Sequence, residues 1–573
     1  MNRAPGVSIA LVGSGGAGVL TAGNLLLEAA CAAGWHGLLT RSVGPQIRGG
    51  EAAALLRLAP DPVECAPDEF DLLIAVDWLN AGRFEAEIPL GPQSLVVGDP
   101  EGGGAPPGIS ASGARLVEIP MKAMAKSLPD GRANMIALGI AARLLGLATE
   151  ALLTVIEKRL ADKGSAAIAA SRAGLEAGWN AAQGLALAIP PAPIKRDGTP
   201  RWLLSGNEAT GLGAVRGGIR FAAAYPITPA TEILEWLSPN LAKVGGVLVQ
   251  AEDELASVNM ILGGSYGGTP SLTATSGPGL SLMVEAIGLA TASEIPIVVV
   301  DVMRAGPSTG IPTKSEQADL NLAIYGLHGD APHLVLAPQS VADCLFTTQW
   351  AVFLAEALQS PAIVLSDQFM GQSRAAIERP ADVAFIGQRA RAKDLNGGYA
   401  RYAVGGSGVS AMALPGTAGG QYTADGLTHT EQGVPTSSAA EHRAQLDKRR
   451  DKLERFSYGD HWANLEGDGE LAVVTWGSLT GAVREAISRA RADGIAVRLI
   501  APRLLAPAQP EAFARALNGV RRMLVVEQSH GAQFHRYLRA HYELPAKVRV
   551  MHRPGPLPIR AGEIHKEMRE WSA

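Results

Sequence analysis

The chain has 573 residues, 47% of them hydrophobic and 18% charged, with a formal net charge of −5. That length allows about three or four domains, and those proportions suit a well-packed α/β protein. The slightly acidic balance supplies no electrostatic reason to bind nucleic acid.

In chain order, residues 1–188 read as one α/β unit. A strand over 7–12 runs into Gly13-Ser14-Gly15-Gly16-Ala17-Gly18 and then an apolar helix through Ala30. This start lacks an adequate apolar core and a cleavage site, so it reads as a first strand and not as a signal peptide. Buried strands follow at 72–76 and 95–97, and alanine- and leucine-rich helices at 134–145 and 151–160. Residues 189–200, opening with Ile189-Pro190-Pro191-Ala192-Pro193, break both ladders because proline lacks a backbone donor, and read as a linker. A second unit over 201–385 alternates strand and helix: strand 202–205, helix from Glu208, strand 247–250, helix from Glu254, strand 271–275, helix from Leu280, strand 297–303. Such alternation implies a parallel sheet. Residues 386–465 are a long arm, rich in Gly, Ser and Thr over 397–433 and followed by a basic helix over 441–455; a segment of this kind is an interface arm or a poorly ordered connector. A third α/β unit, 466–573, has strands at 471–475, 496–500 and 523–527.

Cys31, Cys65 and Cys344 are scattered and odd in number, which speaks against a disulfide framework and for a reducing, cytoplasmic compartment. No C-x-x-C occurs, so the chain by itself cannot ligate a four-cysteine iron–sulfur cluster. The longest apolar runs, such as 295–303, are far too short to span a bilayer.

Gly13-x-Gly15-x-x-Gly18 after a strand has the form of a dinucleotide-binding turn, in which glycines admit a pyrophosphate to a helix N-terminus. The second strand, ending near Leu39-Thr40-Arg41, offers no acid for a ribose hydroxyl, although Arg41 suits a 2′-phosphate. A structural glycine turn, a different phosphate ligand and NAD(P) therefore all stay open. Arg48-Gly49-Gly50-Glu51 reads as an anion contact or a subunit-interface turn. Gly467-Asp468-Gly469 resembles the start of a metal–diphosphate motif but precedes its strand, and reads as a surface turn.

Tyr225-Pro226-Ile227-Thr228-Pro229 holds the chain extended between two prolines, a rigid seat from which Thr228 can project a hydroxyl toward a ligand. Ala251-Glu252-Asp253-Glu254-Leu255 opens a helix with apolar Leu255, Val258, Ile261 and Leu262 at helical spacing. Acids here serve either the helix dipole or a ligand, and Glu252, Asp253 and Glu254 are all eligible for the first role. Thiamine chemistry demands the second: the reactive carbon loses its proton only once N1′ of the cofactor's pyrimidine is protonated or hydrogen-bonded, and a carboxyl in an apolar pocket can share that proton. Arg304 follows a buried strand directly and can grip a carboxylate with two parallel hydrogen bonds, or form a surface ion pair. Ser308-Thr309-Gly310 and Thr313-Lys314 add donors. His328, His333 and His429 show no metal-ligand spacing and read as surface residues.

Taken together, Gly13–Gly18 with Arg48-Gly49-Gly50, Tyr225–Pro229, Glu252-Asp253-Glu254, Thr275-Ser276-Gly277-Pro278-Gly279, Arg304 to Lys314, and Gly433 with the basic helix resemble the α subunit of the 2-oxoacid:ferredoxin oxidoreductases, of the 2-oxoglutarate type with a γ domain fused at its N-terminus. The resemblance implies several doubly wound α/β domains: a γ-like domain, a pyrimidine-binding thiamine diphosphate domain and a transketolase-C-terminal-like domain. It implies oxidative decarboxylation of 2-oxoglutarate with coenzyme A to succinyl-CoA, CO₂ and reduced ferredoxin, reversibly. It implies a separate β subunit carrying Mg²⁺, the diphosphate site and a [4Fe–4S] cluster in an (αβ)₂ assembly, with ferredoxin as electron acceptor and no metal site on this chain. By match, Glu254 is the catalytic contact to N1′, Tyr225 and Pro226 line the cofactor, and Thr228, Arg304, Thr309 and Thr313 hold the oxoacid. The alternatives are pyruvate or branched-chain 2-oxoacids as substrate, or an NAD(P)-linked oxidoreductase.

Overall fold

A computed structural model describes residues 6–44, 50–79, 81–192, 194, 199–393, 395 and 398–572. The expected contacts of Arg48 and Gly49 lie outside these. The chain divides into two units. The first gathers the chain through Ser205 with Gln372–Pro380 and Leu557–His565, and the second holds the remainder.

The first unit is built on an eight-stranded sheet. Its parallel half runs Arg115–Glu118, Leu95–Gly98, Leu72–Ala75, Val7–Gly13. Its other half, Ala52–Ala59, His36–Val43, Arg374–Glu378 and Arg201–Ser205, is antiparallel. Ala52–Ala59 pairs with both Val7–Gly13 and His36–Val43, so it separates the two strands that a dinucleotide fold sets side by side. Arg201–Ser205, expected to open the second unit, instead closes this sheet against Arg374–Glu378. Helices Ala133–Leu145 and Thr149–Arg159 form where their periodicity placed them.

The second unit contains two sheets. In the seven-stranded one, Leu334–Leu336, Ala362–Asp367, Val298–Met303, Ser271–Thr275, Phe221–Ala224 and Val247–Gln250 are parallel, and Leu504–Ala506 adds an antiparallel edge. Val298–Met303 is buried along its whole length, as a central parallel strand covered on both faces must be. The five-stranded sheet is parallel except for Ala463–Glu466. Gly467-Asp468-Gly469 turns between its first two strands, with φ of 71° and 143° at the glycines, conformations only glycine adopts without strain.

The long arm is packed onto the second unit. Arg389 binds Glu356 through two nitrogens at 2.7 and 2.6 Å, both side chains buried. Arg401 and Tyr402 are fully buried, and Arg401 donates to the Glu294 carbonyl at 2.7 Å. His429 and His333, expected at the surface, are 2% and 6% exposed. The His429 ring lies over Tyr402 at 3.7 Å between centroids, and His333 bonds the Ala331 and Ala323 carbonyls. The basic helix forms over Ala439–Glu454. The apolar helix Val341–Leu358 is long enough to cross a membrane, but 72% of it is buried inside the fold.

Candidate active site

Three parallel strands, Phe221–Ala224, Ser271–Thr275 and Val298–Met303, end at one edge of the seven-stranded sheet. Their following loops carry Tyr225–Pro229, Ser276–Gly279 and Arg304. Ligands of open α/β sheets sit beyond such carboxyl ends.

Asn207 fixes the first loop, donating to the Pro229 carbonyl at 2.9 Å and to Glu232 at 3.1 Å. The carbonyl of Thr228 then receives the Arg304 guanidinium at 2.6 Å. The structure therefore brings together the two residues expected to hold a carboxylate. Arg304 is 6% exposed and its Nε has no partner among the described residues. Burial pulls the guanidinium below its usual value, and Asp319 and Asp301 counteract that. Beyond Arg304 the chain doubles back: Ala305 donates to the Lys314 carbonyl and Ile311 to that of Ala305. This return keeps Thr313 buried near the strand end and leaves Thr309 exposed at the loop tip. Tyr225 is 41% exposed and Pro226 partly buried, at the rim of the loop.

Helix Glu254–Tyr266 settles which acid serves its dipole. Asp253 is the N-cap, accepting from the Ala256 amide at 2.7 Å, and Glu252 is exposed. Glu254 is released from that duty and turns inward at 7% exposure. Its carboxyl has no hydrogen-bond partner among the described residues and lies against Gly279, where an added Cβ would meet its Oε1 at 2.8 Å and its Cγ at 2.7 Å. A bare glycine helix start facing an unpartnered carboxyl fits a flat heterocycle with a basic ring nitrogen, as a thiamine pyrimidine is. Leu255, expected on the buried face, is instead 51% exposed, while Val258 and Ile261 are buried.

Residue patterns singled out neither Asp301 nor Asp319. Asp301 sits in Val298–Met303 with no exposure, opposite Thr275 in the neighbouring strand. The carboxyl of Asp319 lies against Gly277, where an added Cβ would meet its oxygens at 2.6 and 2.7 Å. A lone acid inside an otherwise apolar strand was the signal for Asp301.

The glycine turn of the first unit is a different matter. Asp77 accepts from the Ser14 amide at 3.1 Å and from its hydroxyl at 2.7 Å, and Asn134 bonds the Gly18 carbonyl. A carboxylate therefore occupies the amide that a pyrophosphate would need, and Arg41 bonds Gln372.

Residues 8–181 match the family of pyruvate ferredoxin/flavodoxin oxidoreductases. Residues 212–448 match its thiamine diphosphate-binding domain, and residues 469–563 match core domain II of pyruvate:ferredoxin oxidoreductase. The 2-oxoglutarate synthase subunit KorA of Methanothermobacter marburgensis is 36% identical over 376 residues, 64% of this chain and 96% of that protein. The chain belongs to the 2-oxoacid:ferredoxin oxidoreductase α subunits. Subunit alpha of the 2-oxoacid:ferredoxin oxidoreductase 2 of Aeropyrum pernix is 34% identical, over 75% of this chain and 72% of its own. The solved 2-oxoglutarate:ferredoxin oxidoreductase from Magnetococcus marinus, with 2-oxoglutarate, coenzyme A and succinyl-CoA bound, superposes with a TM-score of 0.91 at 35% identity. That match covers 99% of this chain and 100% of the other.

Proposed function

We propose that this α subunit forms one half of a 2-oxoglutarate:ferredoxin oxidoreductase and holds the pyrimidine of thiamine diphosphate. The observation that carries the reading is the inward Glu254 against Gly279, beside the clasp of Arg304 on the Thr228 carbonyl. The reaction converts 2-oxoglutarate and coenzyme A to succinyl-CoA and CO₂, reduces ferredoxin by two electrons in all, and runs in either direction. When bound, thiamine diphosphate supplies the nucleophilic carbon and the electron sink for decarboxylation. Glu254 holds the proton at N1′ of the pyrimidine. The free donors of Arg304, with the hydroxyls of Thr228 and Thr313, take the carboxylate next to the keto group and orient it. Thr309, at its exposed tip, reaches substrate only if the loop closes.

The remaining machinery comes from a β subunit with Mg²⁺, the diphosphate site and a [4Fe–4S] cluster, in an (αβ)₂ assembly served by ferredoxin in the cytoplasm. Exposed Tyr225, Leu255, Met260 and Leu282, on the elements flanking Glu254, support a partner there. The superposition on the 2-oxoglutarate enzyme supports 2-oxoglutarate over pyruvate or branched-chain oxoacids.

The test is purification with the native partner and measurement of coenzyme A-dependent ferredoxin reduction. Higher kcat/KM for 2-oxoglutarate than for pyruvate or branched-chain oxoacids is expected. Full conversion by the isolated chain would overturn the shared-site reading.

A further inference from the structure

The five-stranded sheet reverses its winding part-way across. Leu471–Val474 continues through helix Leu479–Ala492 to Val497–Pro502 on one side, and Arg522–Glu527 continues through helix Gln533–His541 to Lys547–His552 on the other. Between the carboxyl ends of Leu471–Val474 and Arg522–Glu527 lies the crevice where sheets of this kind hold a ligand. Here the chain itself fills it. The Gln317 side chain donates through Nε2 to the Trp476 carbonyl at 2.9 Å and accepts at Oε1 from the Gln528 amide at 2.8 Å. The Gln317 amide completes the clasp, donating to the Gln528 carbonyl at 2.8 Å. Gln317, Trp476 and Gln528 are all buried, so a bond lost here leaves a polar group unpaired away from water.

The grip extends over four consecutive residues. Gln528 Nε2 donates to the Ser315 carbonyl at 3.4 Å, the Gly555 amide to Glu316 Oε2 at 3.2 Å and Gln533 Nε2 to the Ala318 carbonyl at 2.8 Å, while Gln533 Oε1 accepts from the Asn321 amide at 2.9 Å. Two of these approaches pass over glycines. A Cβ at Gly477, whose φ is 63°, would meet Gln317 Nε2 at 2.8 Å, and one at Gly555 would collide with the Ser315 carbonyl.

The held stretch is the returning limb of the Arg304 loop. Ala305 donates to the Lys314 carbonyl at 3.1 Å, so the residue after Arg304 is tied to the residue before Ser315. Thr313 and Ser315 to Gln317 are buried, whereas Gly306 to Ile311 are exposed. A buried base thus carries an exposed tip. A second tie reaches the same crevice from the neighbouring strand, where Asp367, opposite Met303, accepts from the Ser478 hydroxyl.

We propose that Gln317 is a positioning residue for the oxoacid: seated in the crevice of the five-stranded sheet, it fixes the limb that carries Thr313 and closes the loop behind Arg304. The C-terminal sheet then serves the site by holding a loop where such sheets hold a ligand. This rests on the reading of Arg304 and Thr313 as holders of the oxoacid.

Loosening the base populates loop positions that do not meet the carboxylate. KM then rises as the inverse of the competent fraction, while saturating substrate restores the loop and kcat changes little. A residue that only supported the fold would lower the active fraction, and with it the apparent kcat, and leave KM alone.

The experiment uses the complex with the native partner. Gln317→Met keeps the side-chain length and makes neither side-chain bond; Gln317→Glu keeps the acceptor for the Gln528 amide and sets an oxygen against the Trp476 carbonyl. KM for 2-oxoglutarate should rise about tenfold in Gln317→Met, as for a loop competent about one-tenth of the time, and in the same direction in Gln317→Glu, with kcat within about threefold of wild type. A KM within about twofold of wild type in either variant overturns the proposal, as does a loss of kcat at unchanged KM. Hydrogen exchange gives a readout without turnover. In the wild-type complex the Gln317 and Gln528 amides should exchange at least about tenfold more slowly than those of Ser308 and Thr309, and in Gln317→Met the Gln528 amide should exchange at least about tenfold faster than in wild type. Equal exchange in limb and tip of the wild type overturns the proposal even where neither variant assembles. A wild-type complex that converts no oxoacid fails the functional reading, while an active one whose variants keep its KM fails only this inference.

Discussion

Replacing Glu294 by Gln should release the long arm from the second unit. Glu294 is fully buried and accepts from Lys448 at 2.6 Å and Lys452 at 2.9 Å, both lysine side chains being at most 2% exposed. Burial alone would raise this carboxyl, but Lys452, Lys448 and Arg401 together outweigh it and hold it at about 2, against an ordinary 4.5. Lowering a pKa by 4.5 − 2, about 2.5 units, stabilises the folded state by about 3 kcal/mol. Breaking a buried pair by removing one partner costs about 3–5 kcal/mol, so two independent routes agree. The sign follows from the depression: the stabilisation is complete above about 4.5 and is lost as pH falls toward about 2. Gln preserves side-chain size, and it faces the same backbone demand at φ 52°. A chain of this size does not unfold in one step, so the assay must be local. Hydrogen exchange of the amides in Ala439–Glu454 should accelerate by roughly 100- to 4,000-fold in Glu294→Gln at neutral pH. Exchange in Val298–Met303 should not change. Protection of the basic helix within threefold of wild type would refute the reasoning. Equal loss throughout the unit would show that Glu294 supports the core and not the arm.

Glu254→Gln should lower turnover by about 10²–10⁴-fold, measured as ferredoxin reduction, while leaving co-elution with the β subunit intact. Arg304→Ala should raise the KM for 2-oxoglutarate by roughly 10- to 100-fold with a smaller change in kcat, since a charge-assisted contact of about 1.5–3 kcal/mol is lost; an unchanged KM for every oxoacid would make Arg304 structural. NADH and NADPH should show no fluorescence change on titration into the complex, because Asp77 holds the Ser14 amide.

Elements whose partners are close in sequence were legible; those completed from afar were not. The strand–helix alternation from Val247 to Met303 could be read because each strand pairs within a few dozen residues, with a helix between the partners. Residues 202–205 also read correctly as a strand, but their ladder partner, Arg374–Glu378, lies far along the chain, so local pattern assigned them to the wrong sheet. Leu255 misled for a related reason. Apolar spacing marks every apolar face alike, whether it packs inward, as Val258 does, or is left exposed beside the site. His429 was placed at the surface because its cover, Tyr402, arrives from another part of the arm.

The same logic separates the site residues. Tyr225–Pro229, Glu254 and Arg304 each sit directly at a strand or helix end, and that position is visible in the chain order. Asp319 is visible only once the segment beyond Arg304 is seen to double back and bring its carboxyl against Gly277. Asp301 was within reach of the sequence, because a fully buried central strand cannot hold an ionised acid without compensation. An acid among Val298, Val299, Val300 and Val302 must therefore be neutral or paired.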